Sequence, residues 1–220
     1  LAGSWSAHAL AARGWQVQLL ERHREPGQEA SGNLLGAVRP AFNLADNANA
    51  RLARAAYLLT ARRLRSEPAW RDLHRPPGVL QLAATPGQSD RMAAILATHA
   101  FPENYVRWLD AEEAARRAQH RVAGPGWWIA DGGWARPQAL GRALIGPGPR
   151  IKARFGSTVH CVVRTASGWR VLDATGHALG EAPVVVLANG YAAGSMGLPG
   201  MPRLEPVRPR QVSPCSTASR

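Results

Sequence analysis

The stretch that decides the fold is the first one, Leu1–Asn33, which reads LAGSWSAHALAARGWQVQLLERHREPGQEASGN. Gly3 is followed by a helical pattern of small and apolar residues, then by Gly14 and an apolar run that ends at Glu21. This order matches the second half of a dinucleotide-binding βαβ unit: the last glycine of G-x-G-x-x-G, its helix, the second strand and the acidic residue at the end of that strand.

Each position in this stretch has a physical reason. Gly3 is small enough to let the helix lie close to the sheet, and Gly14 can end the helix. Val17–Leu20 is apolar enough for a strand that is covered on both faces. Glu21 would accept hydrogen bonds from an adenosine ribose. The first strand and the first two glycines of the motif would lie before Leu1, so we expect this chain to be a fragment.

Composition indicates a globular protein with a basic surface. The 220 residues are 45% hydrophobic, which is enough for one large domain or two small ones. The net charge is +12, and Lys152 is the only lysine among the basic residues. Such an excess of arginine fits a polyanion-binding surface, with nucleic acid as a natural partner, and it fits compositional drift equally well.

Cysteine, histidine and hydropathy patterns narrow the class of protein. Cys161 and Cys215 are too few for a disulfide framework, and Cys161, in a strand-like run, is expected to be a core thiol. The histidines are scattered without metal-ligand spacing, so we predict no metal site. Since no signal peptide or apolar run of about 18 residues is present, we predict a cytoplasmic protein without a membrane partner.

Periodicity and capping residues predict the remaining elements. Asp46 is expected to cap a helix over Ala48–Arg65, with Leu52, Ala55, Ala56 and Leu59 as its apolar face. The other predicted helices are Leu1–Arg13, Ser89–His99, Asp110–Gln119 with an Asp110/Glu113 capping box, and Pro137–Ile145. The predicted strands are Trp15–Leu20, Gly78–Ala83, Trp127–Ile129, Ile151–Phe155, Thr158–Arg164, Trp169–Asp173 and Val184–Leu187.

Strands alternate with helices at both ends of the chain, which predicts an α/β, Rossmann-like fold. Val17–Leu20, Ile151–Phe155 and Val184–Leu187 are expected in one largely parallel sheet. We therefore predict a nucleotide-binding domain split in sequence, residues 1–38 and 150–220, and a partial α+β substrate domain inserted at residues 39–149.

Several motifs follow the opening stretch in order: Ala30-Ser31-Gly32-Asn33 with Gly36, Asp46-Asn47, Gly132-Gly133-Trp134 with Pro137, and Val186-Leu187-Ala188-Asn189-Gly190. With the Gly3 to Glu21 pattern, they make the chain resemble, over about Leu1–Tyr191, the flavin domain of the bacterial bifunctional enzymes that finish 5-methylaminomethyl-2-thiouridine at the tRNA wobble position. These enzymes belong to the D-amino-acid-oxidase-like flavoproteins. The A-S-G-N and G-G-W-x-x-P segments favour this particular family.

The resemblance implies a fold and an activity. The fold would be an FAD-binding domain of the D-amino-acid-oxidase type, carrying the inserted substrate domain. The activity would be FAD-dependent oxidation of the C–N bond in 5-carboxymethylaminomethyl-(2-thio)uridine 34 of tRNA. Hydrolysis of the resulting imine would leave the aminomethyl form. A methyltransferase domain, fused or separate, would then methylate the amine.

The resemblance also implies the residues that contact FAD. Gly3 would pack against the pyrophosphate, Glu21 would hold the ribose, and Gly36 would let the backbone approach the flavin ring. The remaining positions would contact the pyrophosphate, the ribityl chain and, through Val159, the adenine: Ala30, Ser31, Gly32, Asn33, Val159, Ala188, Asn189 and Gly190. The catalytic residues are unknown, because the isoalloxazine takes the hydride and no side chain needs a covalent role.

Several alternatives remain open. An amino-acid or sarcosine oxidase of the same superfamily would act on a small amine, although the basic charge and the G-G-W-x-x-P segment speak against it. An inactive remnant would explain the departures from the family pattern at Gly146–Pro149 and Arg208–Ser213, and we expect this chain alone to bind FAD weakly or not at all. The tryptophans Trp127, Trp128 and Trp134 could be core residues or base-stacking residues. The arginines that could contact tRNA phosphates, or form a solvated surface, are Arg62, Arg63, Arg65, Arg116, Arg117 and Arg121.

Overall fold

A computed structural model of the protein describes residues 1–75, 78–196 and 198. They form two compact units. The first unit comprises residues 26–146 together with Leu1, and the second comprises residues 2–25 and those from 147 onward. The predicted boundary at residues 38 and 39 differs from this first junction, because the strand Gly36–Val38 pairs within the first unit. The assignment of a cofactor domain and a substrate domain stays a prediction.

The described residues form five α-helices and eleven strands, together with two 3-10 helices at Pro68–Leu73 and Gly190–Ser195. The helices are α1 (Ala2–Ala11), α2 (Ala48–Ser66), α3 (Pro86–His99), α4 (Ala111–Ala118) and α5 (Pro137–Leu144). The strands are β1 (Val17–Leu20), β2 (Gly36–Val38), β3 (His74–Arg75), β4 (Val79–Leu82), β5 (Arg107–Leu109), β6 (Gly126–Ile129), β7 (Gly133–Ala135), β8 (Ile151–Arg154), β9 (Cys161–Thr165), β10 (Gly168–Leu172) and β11 (Ala178–Ala182).

The second unit begins with the predicted helix and strand. α1 leads through Gly14, whose φ of 90° is accessible to glycine, into β1. β1 pairs in parallel with β8, from Val17 opposite Ile151 to Leu20 opposite Arg154. β9, β10 and β11 form an antiparallel meander, so the predicted hairpin is confirmed and extended by one strand. Cys161, expected in the core, is half-buried, and Cys215 lies outside the described residues.

The prediction that Val184–Leu187 is a strand of the parallel sheet is wrong. This segment lies in the same unit as β1 and β8 but has no regular secondary structure. Val184 is 54% exposed and Val186 is 52% exposed. A strand needs a hydrogen-bonded neighbour, and the described part of the chain provides no ladder partner here. Its apolar sequence fits a sheet interior, but pairing decides whether it forms a strand.

The first unit contains two antiparallel three-stranded sheets. β7 lies between β2 and β3, and β6 lies between β4 and β5. The core of the unit includes Tyr57 of α2, Met92 and Ile95 of α3, and Trp127 and Ile129 of β6. Phe42, Phe101 and Tyr105 pack around this core with ring centroids between 5.3 and 5.8 Å apart. The sheets and α2 and α3 thus share one apolar interior.

Helix α2 buries a face other than the predicted one. Leu52 is 70% exposed and Leu59 is 58% exposed, whereas Tyr57 and Leu64 are buried. The buried positions, which also include Ala50 and Ala61, form a second stripe at helical spacing, and this stripe carries the large Tyr57 ring. Tyr57 packs edge-on against Tyr105, and this contact holds the face of α2 that carries Tyr57 against the core.

Two helix caps test the capping predictions. The N-cap of α2 is Asn47, whose side-chain oxygen accepts from the Ala50 N–H at 2.9 Å, rather than Asp46. Asp46 instead pairs with Arg54 at 2.8 Å, and that guanidinium lowers the pKa of the carboxyl. At α4 the Asp110 half of the predicted capping box is confirmed, because Asp110 accepts from the Glu113 N–H at 2.7 Å, while the Glu113 carboxylate pairs with Arg107 at 2.7 Å.

We expect the fully buried Ile129 to stabilise the first unit and the exposed Leu59 to contribute little. Ile129→Ala removes buried methylenes and leaves a cavity in the central strand, which should cost about 2–5 kcal/mol of unfolding free energy. Leu59→Ala should stay within about 0.5 kcal/mol of the parent. Urea unfolding followed by tryptophan fluorescence measures both, and equal losses in the two variants would contradict the packing of α2 described above.

Candidate functional site

The start of α1 lies beside the segment that follows Leu187. A Cβ added at Gly3 would lie 3.4 Å from the Cβ of Ala188, which is ordinary van der Waals contact. Two of the predicted cofactor residues are therefore neighbours although they are far apart in sequence. A small residue at Gly3 keeps this approach close and leaves the first backbone N–H groups of α1 near Ala188, where a helix N-terminus favours an anionic group.

Three hydrogen bonds to backbone groups of other residues hold Glu21 at the end of β1. Its N–H donates to the Arg154 carbonyl at 3.0 Å, and its carbonyl accepts from Ser157 at 2.9 Å. Its side-chain Oε1 accepts from the His23 N–H at 2.9 Å. A carboxylate has about four acceptor sites, so this half-buried group is oriented by the turn and retains capacity for a diol. This arrangement fits the predicted contact with a ribose.

The other predicted residues of the second unit lie in irregular backbone. Val159 is half-buried between β8 and β9. Asn189 and Gly190 are exposed, and Gly190 has a φ of 59°, which favours glycine at the start of the 3-10 helix. The exposed backbone of this segment is open to a ligand, and the part that the resemblance assigns to these residues stays a prediction.

The predicted residues of the first unit form a tight turn before β2. The Gly32 N–H donates to the Glu29 carbonyl at 2.8 Å. A Cβ at Gly32 would lie 3.0 Å from the carbonyl oxygens of both Glu29 and Gly27, so the turn has little room for a side chain. Of the other predicted residues here, Ala30 and Asn33 are exposed, Ser31 is half-buried, and Gly36 approaches Pro137 so closely that its Cβ would lie at 3.3 Å.

A cavity of about 380 Å³ opens beside this turn. Asn33 contributes to it, while its other lining residues were not predicted from the sequence: Leu34, Leu35, Arg136, Gln138, Ala139 and Arg142. The volume lies within the range of small-molecule sites, about 300–1,000 Å³. Leu34 is 89% exposed and so offers apolar surface at the cavity mouth. The two arginines make the cavity suitable for an anionic or electron-rich group.

The pairing of β2 with β7 explains how the cavity forms. Gly36 lies opposite Ala135 in an antiparallel ladder, so the residues before Gly36 run beside the residues after Ala135. The Gln138 side chain then donates to the Gly27 carbonyl at 2.9 Å and ties α5 to the turn. The motifs A-S-G-N and G-G-W-x-x-P are therefore a usable signal for this pair, since the first precedes β2 and the second contains β7.

Other chemistries find little support in the described residues. Within residues 1–75, 78–196 and 198, no group of three or more His, Cys, Asp or Glu side chains is arranged to hold a metal ion. No helix in the described part of the chain has the length and apolarity needed to cross a membrane. Trp127 is buried in the core, and Trp128 is covered by the Arg117 guanidinium, 3.9 Å from the ring centroid. These two rings serve packing rather than base stacking.

Comparison with known proteins agrees with this geometry. A family model described as FAD dependent oxidoreductase matches residues 1–218. The tRNA 5-methylaminomethyl-2-thiouridine biosynthesis bifunctional protein MnmC of Ralstonia nicotianae is 36% identical over 94% of this chain and 32% of the relative. The protein of the same name from Azoarcus sp. is 38% identical over the same shares. The chain thus spans about a third of the length of these relatives.

Solved structures share the fold. Glycine oxidase from Geobacillus kaustophilus superposes with a TM-score of 0.70 at 22% identity, covering 89% of this chain and 54% of that one. Fructosyl peptide oxidase from E. terrenum gives a TM-score of 0.68 at 19% identity, covering 87% and 47%. The predicted Rossmann-like, D-amino-acid-oxidase-type fold is therefore confirmed, and so is FAD as the cofactor of the family.

We expect the turn before β2 to tolerate no side chain at Gly32. Gly32→Ala forces two carbonyl oxygens to move and should cost about 1–3 kcal/mol of unfolding free energy. Gly87→Ala is the matched control, since no atom lies within 4 Å of its Cβ position in α3; it should be neutral or stabilising by up to about 1 kcal/mol. Urea unfolding measures both, and a neutral Gly32→Ala would mean that the turn is looser than its hydrogen bonds indicate.

Proposed function

The chain belongs to the family of FAD dependent oxidoreductases, and on this premise we propose that it is part of a tRNA-modifying flavoenzyme. The proposed reaction removes the carboxymethyl group from 5-carboxymethylaminomethyl-(2-thio)uridine 34. One observation carries this choice within the family. The chain is 36–38% identical, over 94% of its length, to proteins named for 5-methylaminomethyl-2-thiouridine biosynthesis. Glycine oxidase and fructosyl peptide oxidase share its fold at only 19–22% identity.

Taken unit by unit, the residues present fit separate parts of an FAD. In the second unit, the N-terminus of α1 suits a pyrophosphate and the oriented carboxylate of Glu21 suits a ribose diol. In the first unit, the Gly32 turn and the cavity at Asn33 offer backbone and apolar surface to a ring system. When bound, the flavin would accept the hydride from the amine carbon of the substrate. The protein's task is then to orient the amine and to exclude competing reactions.

The arginines of the cavity at Asn33 have a part in this proposal. Arg136 and Arg142 line it, and the carboxymethyl group of the proposed substrate is an anion at neutral pH. A guanidinium binds a carboxylate through two parallel hydrogen bonds, which fixes the direction of the group as well as its position. We therefore propose that Arg136 and Arg142 bind an anionic group of the substrate or the cofactor in the cavity beside Asn33.

The proposed macromolecular partner is tRNA. Of the candidate arginines, Arg62 and Arg63 are exposed on α2, while Arg65 pairs with Asp131 and Arg116 pairs with Glu112. Arg62 and Arg63 are therefore candidates for contacts with tRNA phosphates on the exposed surface of α2. A cytoplasmic location and a companion methyltransferase domain belong to the same proposal, since the substrate is tRNA and the product amine is methylated afterwards. The relatives are named as bifunctional proteins.

Glu21→Ala should weaken FAD binding in a form of the protein that extends over the length of its relatives. Losing the hydrogen bonds to a neutral ribose should cost about 1–3 kcal/mol, or roughly a 5- to 150-fold higher dissociation constant. The exposed Glu25→Ala is the matched control and should bind FAD like the parent. Titration of the apoprotein with FAD, followed by flavin fluorescence, measures this. Equal affinities for all three proteins would contradict the assignment of Glu21.

We expect the same extended protein to oxidise tRNA that carries carboxymethylaminomethyluridine and to leave glycine and sarcosine unchanged. Mass spectrometry of the digested tRNA reports the aminomethyl nucleoside, and flavin reduction under anaerobic conditions reports turnover of the small amines. The physical reason is that a small amine lacks the phosphates that a basic surface recruits. Turnover of the small amines with unmodified tRNA would instead establish the amine-oxidase alternative.

A further inference from the structure

A second, smaller cavity lies in the first unit, at the other end of the β2–β7 pair. It has a volume of about 80 Å³ and lies between the C-terminal half of α2, β3 and the turn that connects β6 to β7. Its charged and aromatic lining consists of Arg65, His74, Arg75, Asp131 and Trp134. Sites for molecules of nucleoside size or larger have volumes of about 300 Å³ and above, so this cavity fits one small group.

Strand pairing and a salt bridge build this cavity. Arg75 lies opposite Trp134 in the antiparallel β3–β7 ladder, so the cation and the indole are fixed side by side. Arg65 reaches the cavity from α2, where its Nη1 lies 2.5 Å from Oδ1 of Asp131. Arg65 and Arg75, from different elements, therefore both line one cavity that also contains a carboxylate. Nη1 of Arg75 donates to the carbonyl oxygens of Arg71 at 3.1 Å and His74 at 3.4 Å, so a ligand would use other N–H donors of its guanidinium.

The charges of the lining favour an anion. Arg65 and Arg75 bring two positive charges, and Asp131 brings one negative charge. Arg75 also lies 3.7 Å from Asp72, but that carboxylate is 90% exposed and such surface pairs are weak. The carboxylate of Asp131 binds Arg65 as the oxygens of an external oxyanion would. A guanidinium carries five N–H donors in a planar fork, a geometry that matches phosphate.

His74 adds a group that can distinguish phosphate species. Its Nδ1 lies 3.0 Å from the Trp70 carbonyl oxygen, which can only accept, so Nδ1 carries the proton. In the neutral ring Nε2 is then an acceptor and can bind the P–OH of hydrogenphosphate. A phosphodiester has no such proton and would rely on the arginines alone.

We propose that this cavity binds a single phosphate group, with Arg65 and Arg75 as its ligands and Asp131 as an internal competitor for Arg65. The group is either free phosphate or one phosphate of a polynucleotide backbone. This inference requires neither a flavin nor oxidation of an amine, so it stands apart from the proposed function. It assigns a role to Asp131, which would otherwise only neutralise one arginine at a surface that already has an excess of them.

The test is isothermal titration of the 220-residue chain with inorganic phosphate at low salt. The parent chain should bind, and Arg65→Gln should weaken binding by roughly tenfold or more, because a charge-assisted pair is lost. Arg91→Gln removes the same charge from α3 of the same unit, outside the cavity, and should leave the affinity unchanged. Asp131→Asn should tighten binding several-fold, since the competing charge is removed.

Equal affinities of Arg65→Gln and Arg91→Gln would overturn the proposal, and so would weaker binding by Asp131→Asn. Circular dichroism checks that each variant is folded, and Arg75→Gln provides a second cavity variant should Arg65→Gln unfold. A parallel titration with a short single-stranded RNA separates the two sources. Loss of RNA affinity in Arg65→Gln but not in Arg91→Gln, with phosphate as a competitor, indicates a backbone phosphate. A response to inorganic phosphate alone indicates a free-phosphate site.

Measurements of FAD affinity and of tRNA oxidation with the extended protein distinguish failure of this inference from failure of the proposed function. Asp131→Asn should leave FAD affinity unchanged, because Asp131 does not line the cavity beside Asn33. A protein that oxidises tRNA but shows no difference in phosphate binding between Arg65→Gln and Arg91→Gln retains its function and loses this site. A protein that binds phosphate through Arg65 but oxidises neither tRNA nor small amines retains the site and loses the function.

Discussion

The antiparallel ladder between β2 and β7 determines the geometry of the first unit. It pairs three residues, from Gly36 opposite Ala135 to Val38 opposite Gly133. At one end the ladder brings the turn at Ala30–Asn33 beside the start of α5 and so forms the larger cavity. At the other end it places Val38 and the Gly132–Trp134 segment around the smaller one. A one-residue change of register would turn every side chain of β2 to the opposite face and disrupt both cavities.

The sequence predicted the long elements well, because each of them carries its own local signal. α2 and α4 have side-chain caps, and β1 follows a helix and a turn glycine. α3 begins at Pro86 rather than at the predicted Ser89, because Thr85 caps it. The short strands β2, β3 and β7 have two or three residues each, too few for a period, and only their partners define them. The buried face of α2 was missed for a related reason. Two apolar stripes compete on this helix, and tertiary contact with Tyr105 selects the one with Tyr57.

The predicted site residues divide in the same way. The local settings of Gly3, Gly32 and Glu21 could be predicted from sequence because each has a backbone reason for its residue type: a close approach, a tight turn and the end of a strand. Their contact with FAD stays a prediction. Arg136, Gln138 and Arg142 could not, because ordinary surface residues of a helix become cavity residues only through strand pairing elsewhere. Val184–Leu187 shows the converse. Its apolar sequence is a strong strand signal, yet it forms no strand without a neighbour that accepts its hydrogen bonds.

The arginine excess is less available for binding than the net charge of +12 indicates. Arg54 pairs with Asp46, Arg107 with Glu113 and Arg170 with Glu181, and two more guanidinium groups lie over the rings of Trp128 and Trp169. Such contacts fix the direction of each guanidinium and reduce its attraction for a distant polyanion. We therefore expect a binding arginine of this chain to share a cavity with a second cation. Arg65 and Arg75 meet that criterion at the smaller cavity, and Arg136 and Arg142 meet it at the larger one.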